Sequence, residues 1–253
     1  MLRELRARKP LIHCITNHVV SNFQANGLLA LGVSPVMGDE QQEVAELTGH
    51  ADALSLNIGT ITERSFNSML IAGHAAMDKG IPIVLDPVGA GATAYRLQAV
   101  KRLLTELDVT LLRCNAGELA AIAGADWQAR GVDAGEGQGD LETIAKQVAD
   151  EYQTIVAVTG TRDLVTDGNR TEYITGGDPL MASVTGMGCL LSAVLAAFLT
   201  EEESKRLDAI AYGLQFYANA GSRAAKIALN PGIFQISFLD ELSKRQEAVM
   251  YGN

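Results

Sequence analysis

The sequence predicts an α/β protein with a mostly parallel central sheet, helices on both faces of that sheet and a hairpin at one edge. Short apolar runs alternate with segments whose apolar residues recur at the 3.6-residue period of a helix. The runs are hydrophobic at consecutive positions, as strands buried on both faces are. Neither a linker nor an internal repeat divides the chain, so we expect residues 1–253 to form a single domain.

Four apolar runs are predicted to be strands, each with a helical pattern after it. They are Leu54–Ile58, Ile81–Leu85, Val109–Leu112 and Ile155–Val158. The segment Leu164–Ile174 alternates apolar and polar residues around Asp167-Gly168-Asn169, which predicts the edge hairpin. Four glycines in Gly131–Gly139 predict an exposed loop. From Gly188 to Leu229 the pattern is helical, with a break expected near Glu201–Ser204.

In a parallel α/β sheet the functional residues follow the carboxyl ends of the strands. The segments that follow the predicted strands are residues 57–60, residues 86–89, residues 113–115 with Glu118, and residues 159–161. We therefore expect these four segments to meet at one edge of the sheet.

The composition excludes several classes of protein. A net charge of −10 and a pI of about 4.9 argue against nucleic-acid binding, because a phosphate backbone requires a basic surface. The three separated cysteines have no zinc-type spacing and predict a reduced, cytoplasmic protein. The N-terminus has no signal-peptide core, and the longest apolar stretch, Leu190–Leu199, is too short to cross a bilayer. We expect a soluble protein with no membrane partner.

The strongest chemical feature is the run Val184–Cys189, which holds two glycines and is followed at once by an apolar helix. Gly186 and Gly188 allow a tight turn and leave backbone N–H groups unhindered at a helix N-terminus, which favours anions. This predicts an anion hole for a phosphoryl group in transfer. Cys189 lies at its edge, where the helix dipole is expected to lower the thiol pKa. The alternative is a glycine turn with a buried cysteine that caps a core helix.

Asp86 follows a predicted strand and precedes a glycine-rich segment, so its carboxylate could hold a metal-bound water or orient phosphates. The pattern Gly89-x-Gly91-x-x-Ala94 also resembles a dinucleotide fingerprint, which makes an oxidoreductase a rival interpretation. Against it, Asp86-Pro87 separates the strand from the glycines, and no acidic residue ends a following strand about twenty residues on. The structural alternative is a turn with a helix-capping aspartate.

Two further strand ends carry polar side chains. Asn115 and Glu118 have the spacing of a helix capping box, and equally Glu118 could be a magnesium ligand. The planar guanidinium of Arg113 could pair with a nucleotide phosphate or lie on the surface at a strand end. Thr159 could reach a phosphate or cap a turn.

The N-terminal segment Pro10–Ser21 is rich in His, Asn, Thr and Cys. His13 and His18 have no third metal ligand nearby in sequence, so structural or substrate-lining roles are expected. Met37 ends another predicted strand and could give a soft contact to a sulfur-containing or aromatic ring, with core packing as the alternative.

Taken in order, seven stretches resemble the hydroxyethylthiazole kinase family of thiamine salvage, within the ribokinase-like superfamily. They are CITNHVVSN at Cys14–Asn22, PVM at Pro35–Met37, LDPVGAGAT at Leu85–Thr93, NAGE at Asn115–Glu118, VTG at Val158–Gly160, VTGMGCLLSAV at Val184–Val194 and PGIFQISFLD at Pro231–Asp240. The resemblance implies a ribokinase-like three-layer fold. It also implies phosphorylation of 4-methyl-5-(2-hydroxyethyl)thiazole by ATP with Mg²⁺.

The resemblance further implies a role for each matching residue. Gly186 and Gly188 would form the anion hole, and Cys189 would stand where most ribokinase relatives carry an aspartate base. The expected ATP-binding residues are Arg113, Thr159 and Asn115, the metal ligands Asp86 and Glu118, and the thiazole pocket Met37, Asn17 and Gly186. Such proteins are homotrimers with active sites at subunit interfaces, so Met37 is expected to serve a neighbour's site.

Two positions depart from the family pattern, which has Gly at Cys114 and Thr at Met187. The loss of a hydroxyl at Met187, near the expected phosphate path, bears on rate and substrate range. The alternatives within the superfamily are a kinase for a hydroxymethylpyrimidine and an ATP-dependent repair enzyme for hydrated nicotinamide nucleotides. An inactive ligand-binding module is the alternative outside enzymes.

Overall fold

In the computed structural model, which describes residues 1–125 and 137–244, an eight-stranded sheet forms the centre of the protein. Its strands are β1 (Leu11–Ile15), β2 (Ser34–Val36), β3 (Ala53–Asn57), β4 (Ile83–Asp86), β5 (Leu111–Asn115), β6 (Ile155–Thr159), β7 (Asp163–Thr166) and β8 (Thr171–Ile174). Their order across the sheet is β2-β1-β3-β4-β5-β6-β7-β8. Strands β1 to β6 are parallel to one another, whereas β7 pairs antiparallel with both β6 and β8. The predicted fold class and edge hairpin are confirmed.

Helices cover both faces of this sheet. In the described part of the chain they are α1 (Leu2–Arg8), α2 (Ser21–Leu31), α3 (Val44–His50), α4 (Glu63–Lys79), α5 (Ala94–Glu106), α6 (Ala116–Ala123), α7 (Gly137–Tyr152), α8 (Met187–Phe198), α9 (Arg206–Ala225) and α10 (Pro231–Ser243). Helices α1, α2, α8, α9 and α10 share one apolar core with the sheet. The second core lies on the opposite face, between the sheet and α3 to α7.

The two cores explain why the strands read as continuous apolar runs. Along β3, Ala53 enters the core beneath α8 while Leu54 enters the opposite core, because successive side chains of a strand point to opposite faces. The same alternation places three polar side chains on one face of the sheet, toward the carboxyl ends of β3, β4 and β5. These residues are Asn57, Asp86 and Arg113. The N-terminal part of α8 covers this face, so the sheet directs all three toward the start of α8.

Most of the predicted boundaries agree with the structure. Strand β5 continues to Asn115 rather than ending at Leu112, because its pairing with β6 extends to Asn115 and Thr159. The break in the helical segment is a 3₁₀ turn at Glu203–Lys205. Of the loop predicted at 131–139, residues 131–136 lie outside the described residues and 137–139 belong to α7. None of the described helices combines the length and apolarity needed to cross a membrane.

Candidate active site

Helix α8 begins at a glycine that no other residue could easily replace. Gly186 is its N-cap, with φ of 95°, and a Cβ there would lie 2.7 Å from Val20 Cγ1. Within the described residues no side-chain cap is present at this helix start, since glycine has no side chain to accept a hydrogen bond. The first N–H groups of α8 are thus left for another partner, because a helix cannot satisfy them internally.

Gly188 lies inside α8, as its second residue, rather than before the helix as the sequence suggested. A Cβ at this position would lie 2.7 Å from Nη1 and 2.8 Å from Nη2 of Arg113. The missing side chain therefore makes room for a guanidinium against the first turn of α8. From the sequence, Gly188 was expected to allow a tight turn, which is a different role.

Arg113 supplies a nearly buried positive charge, with 11% of its side chain exposed. Its Nη2 donates a hydrogen bond of 2.6 Å to Thr159 Oγ1, and Nη1 lies 3.6 Å from Asp86 Oδ1. Its Nε is buried without a hydrogen-bond partner among the described residues. The guanidinium is held by Thr159 and Asp86 and keeps a donor for a further anion.

Asp86 is fully buried at the end of β4. Its Oδ2 accepts hydrogen bonds of 2.9 Å from Asn57 Nδ2 and from Ser192 Oγ. Its Oδ1 has no hydrogen-bond partner within the described chain. Burial raises the pKa of this carboxyl to about 6, in part against the attraction of Arg113. One oxygen is thus fixed by Asn57 and Ser192, while the other faces the guanidinium of Arg113.

Glu118 and Asn115 form the capping box that the sequence offered as one interpretation. Asn115 Oδ1 accepts from the Glu118 N–H and Glu118 Oε2 accepts from the Asn115 N–H, both at 2.9 Å. Glu118 Oε1 also accepts from the N–H of Gly89, at 2.8 Å. Glu118 therefore connects the loop after β4 to the start of α6, and the Asn115 side chain is engaged in the cap.

The charges around Asp86 fit a magnesium ion held partly by phosphates and water. Asp86 is a buried carboxylate, and Glu118 is close enough to raise the pKa of Asp86 further. Across residues 1–125 and 137–244 no group of three His, Cys, Asp or Glu side chains could hold a metal by itself. Magnesium commonly takes one or two carboxylates and completes its coordination with substrate oxygens and water.

Cys189, the third residue of α8, lies beside the N-terminal segment. Asn17 Nδ2 lies 3.5 Å from its Sγ, and Gln24 Nε2 donates to its carbonyl oxygen at 2.9 Å. The prediction of a lowered thiol pKa is wrong: burial, with the charge of Asp86 second, raises it to about 11. The helix dipole does not outweigh the desolvation that accompanies packing of this first turn.

The sequence did not identify two residues of this cluster, Asn57 and Ser192. Asn57 stands at one of the strand ends that the sequence marked, where its side chain bonds both Asn17 and Asp86. Ser192 is a polar residue in the apolar helix α8, and that contrast was the available signal.

Arg96 fixes the loops on which this cluster stands. Its guanidinium donates to the carbonyl oxygens of Ile58, Gly59 and Val88 at 2.9, 2.7 and 2.7 Å. These carbonyls belong to the segments that follow β3 and β4. One side chain of α5 thereby holds two functional loops together.

His13 lies in β1, and Met37 directly follows β2 at the outer edge of the sheet. His13 is buried, and its ring nitrogens lie 2.8 Å from Thr48 Oγ1 and from the carbonyl oxygen of Gly38. Burial lowers its pKa, and Nε2–H donates to Gly38 because a carbonyl oxygen can only accept. His13 thus fixes the loop that carries the half-buried Met37, at the outer strand β2. His18 is exposed.

Comparisons with known proteins identify the family of this chain. The profile of the "Hydroxyethylthiazole kinase family" matches residues 2–247. A protein of Lysinibacillus sphaericus named "Hydroxyethylthiazole kinase" is 48% identical over 251 residues, 98% of each chain. The structure of a hydroxyethylthiazole kinase protein from Pyrococcus horikoshii superposes with a TM-score of 0.89 at 39% identity, covering 97% of this chain and 92% of the other.

The fold is also shared with a protein of low sequence identity. A ribokinase-like superfamily protein from Enterococcus faecalis superposes with a TM-score of 0.67 at 12% identity, covering 94% of this chain and 88% of that one. This likeness confirms the ribokinase-like fold. The chain belongs to the hydroxyethylthiazole kinase family.

Proposed function

We propose that this protein transfers the γ-phosphoryl group of ATP, with Mg²⁺, to the hydroxyl of 4-methyl-5-(2-hydroxyethyl)thiazole. The family supports the reaction and its acceptor. The observation that carries the proposal is the uncapped start of α8 with Arg113 packed against Gly188. A helix N-terminus and a buried guanidinium together make a site for the charge of a phosphoryl group in transfer.

In this proposal the phosphates occupy the space before the first turn of α8. The N–H groups there donate to phosphate oxygens, and the positive charge of Arg113 beside Gly188 attracts the same oxygens. These donors are fixed before the substrate arrives, since Tyr217 Oη donates to the carbonyl of Met187 at 2.7 Å and Gln24 donates to that of Cys189. Donors that need no reorganisation stabilise the transition state more than mobile ones.

Asp86 and Glu118 would hold Mg²⁺, directly or through water. Bound there, the ion would neutralise charge on the phosphates. Asp86 must be ionised for this role, and its pKa of about 6 leaves most of it charged at neutral pH. Asn57 and Ser192 hold its Oδ2, so the orientation of the carboxylate is fixed before the ion would bind.

Cys189 would receive the proton of the acceptor hydroxyl. Only the thiolate form can take this proton, and with a pKa of about 11 that form is a small fraction of Cys189 at neutral pH. In a loose, metaphosphate-like transition state the hydroxyl keeps its proton until late, and positioning contributes more than basicity. Asn17 and Gly186 would line the acceptor pocket beside this sulfur.

We also propose a cytoplasmic homotrimer with composite sites. Asn17 reaches Cys189 within one chain, so it needs no neighbour. Met37 follows β2 at the margin of the sheet, where a second subunit could bring it to a neighbour's site. Light scattering should give three times the mass of the 26.8 kDa chain, whereas a fully active monomer would contradict the shared site.

The reaction is tested by incubating purified protein with ATP, Mg²⁺ and the thiazole alcohol, and following the product by mass. We expect one phosphoryl group to be added to the acceptor. Turnover of a hydroxymethylpyrimidine or of a hydrated nicotinamide nucleotide instead would overturn the substrate assignment. Binding of the thiazole without any turnover would identify an inactive ligand-binding protein.

A further inference from the structure

The orientation of the buried Asn57 side chain is determined by a backbone group. Asn57 is 2% exposed, and its Oδ1 accepts from the N–H of Gly59 at 2.9 Å. A backbone N–H can only donate, so the atom facing Gly59 must be the oxygen of the amide. The Nδ2 group therefore faces Asp86 Oδ2, to which it donates at 2.9 Å.

The same logic fixes Asn17. Its Oδ1 accepts from the Val19 N–H at 3.1 Å, which assigns the oxygen without ambiguity. Its Nδ2 then carries two donors. One bonds Asn57 Oδ1 at 2.8 Å and the other points at Cys189 Sγ, 3.5 Å away.

These bonds form one chain across the candidate active site. It runs from Cys189 through Asn17 and Asn57 to Asp86 and ends at Ser192, and Asn57 also bonds the Cys189 sulfur directly. Asn57 is its central member, since it alone contacts both Asn17 and Asp86. Ser192 contacts Asp86 and not Asn17, which provides a natural comparison.

We propose that Asn57 is a positioning residue that holds the Asp86 carboxylate and, through Asn17, the Cys189 sulfur in one fixed arrangement. This inference rests on the proposed function. It goes beyond it by naming a residue that contacts neither the phosphates nor the acceptor. Asn57 couples the phosphate side of the site to the acceptor side, so its loss affects both.

The test compares three truncations to alanine at buried polar positions. Asn57→Ala removes the bonds to both sides, whereas Ser192→Ala removes the bond to Asp86 and a 3.4 Å bond to the carbonyl oxygen of Gly188 but none to Asn17. Ser55→Ala is the matched control: Ser55 lies in the same strand, is 1% exposed, and its Oγ has no hydrogen-bond partner among the described residues. Each variant is measured for KM of the acceptor, Mg²⁺ requirement, melting temperature and Cys189 alkylation.

Alkylation by iodoacetamide, without substrates or Mg²⁺, reports on the sulfur even if the acceptor is misassigned. Cys14 and Cys114 are buried, and peptide mass spectrometry separates their products from that of Cys189. For Asn57→Ala we expect roughly three- to tenfold slower alkylation and roughly 10- to 100-fold lower kcat/KM. For Ser192→Ala we expect a higher Mg²⁺ requirement with unchanged alkylation, and for Ser55→Ala no change.

A merely structural Asn57 would lower the melting temperature and leave the alkylation rate, the acceptor KM and the Mg²⁺ requirement of the folded protein as in the wild type. That result would overturn the proposal. If Asn57→Ala does not fold, Asn57→Asp keeps the acceptor for Gly59 and Asn17 and tests the Asp86 side. Wild-type Mg²⁺ requirement and kcat in Asn57→Asp would also overturn it. Slower alkylation in a protein whose wild type does not phosphorylate the thiazole would refute the proposed function alone.

Discussion

Helices α6 and α8 both start at the carboxyl edge of the sheet, yet their N-termini differ. Asn115 caps α6 and Glu118 closes its capping box, so its own side chains bond the start of that helix. Gly186 begins α8 with no side-chain cap. Each helix has a glycine second and a functional candidate third: Gly117 and Glu118 in α6, Gly188 and Cys189 in α8.

The difference shows what makes a helix start available to an anion. In α6 the side chain of Asn115 accepts a hydrogen bond from the N–H of Glu118, and the carboxylate of Glu118 places a negative charge beside the helix start. In α8 the missing cap leaves donors free, and Gly188 admits the guanidinium of Arg113 beside them. A glycine at the cap and a cation behind the first turn therefore distinguish a phosphate site from a structural helix end.

The largest effect is expected from filling the space at Gly188. Gly188→Ala places a methyl group 2.7 Å from Arg113 Nη1, so the guanidinium must move away from α8. Displacing one such donor should lower kcat by roughly 10²- to 10³-fold. The fold should survive, because the atoms that must move are the end of a flexible side chain. Steady-state kinetics with thermal melting measures both.

Gly49→Ala is the control for that substitution. Gly49 is also helical, in α3, and a Cβ there would meet nothing within 4 Å. We expect full activity and equal or slightly higher stability, since alanine favours helix over glycine by up to about 1 kcal/mol. Equal activity of the two variants would show that the contact between Arg113 and Gly188 does not contribute to catalysis.

A smaller effect is expected at Cys189, the residue that stands third in α8. Cys189→Ala should lower kcat by less than the roughly 10²- to 10⁴-fold of a fully used base and leave measurable turnover. Cys189→Asp supplies another acceptor and should keep or raise activity. Since the thiol pKa is about 11, wild-type kcat should rise with pH above neutrality. The aspartate variant should lack that rise.

Mass spectrometry of the Cys189 variants separates the other two roles. A covalent phosphocysteine would make Cys189→Asp inactive or trap phosphate on the protein. A purely structural cysteine would make Cys189→Ala nearly silent. Either outcome would contradict the role as proton acceptor.

The smallest effect is expected at Glu118, the third residue of α6. Glu118→Gln removes a charge and one acceptor from a carboxylate that now receives the N–H groups of Gly89 and Asn115. We expect a Mg²⁺ requirement raised by roughly tenfold and a loss of about 1 kcal/mol in stability. Magnesium titration of kcat and denaturant melts measure the two effects.

Ser65→Ala separates metal binding from capping. It breaks the capping box of α4, formed by Thr62 and Ser65, on the exposed surface. Stability should fall and the Mg²⁺ requirement should not change. If Glu118→Gln behaves in the same way, Glu118 is only a cap.

The sequence predicted the layered architecture and many members of the site, because both depend on regular patterns. Doubly buried strands read as apolar runs, and residues that follow parallel strands meet at one edge, which brought Asp86 and Arg113 together. Features that depend on packing were not predictable. Such features depend on which residues of distant segments come into contact in the folded chain. They are the raised pKa of Cys189, the space that Gly188 leaves for Arg113 and the bridging role of Asn57.

The contrast between the two helix starts can be measured directly by ¹⁵N TROSY spectroscopy during titration with ADP and Mg²⁺. The equivalent amides are those of Gly188 and Gly117, the second residue of each helix. We expect large shifts at Met187, Gly188 and Cys189 and a small shift at Gly117, because the carboxylate of Glu118 repels a phosphate from the start of α6. Large shifts at Gly117 with an unmoved Gly188 would show that the phosphates bind elsewhere and would contradict the account.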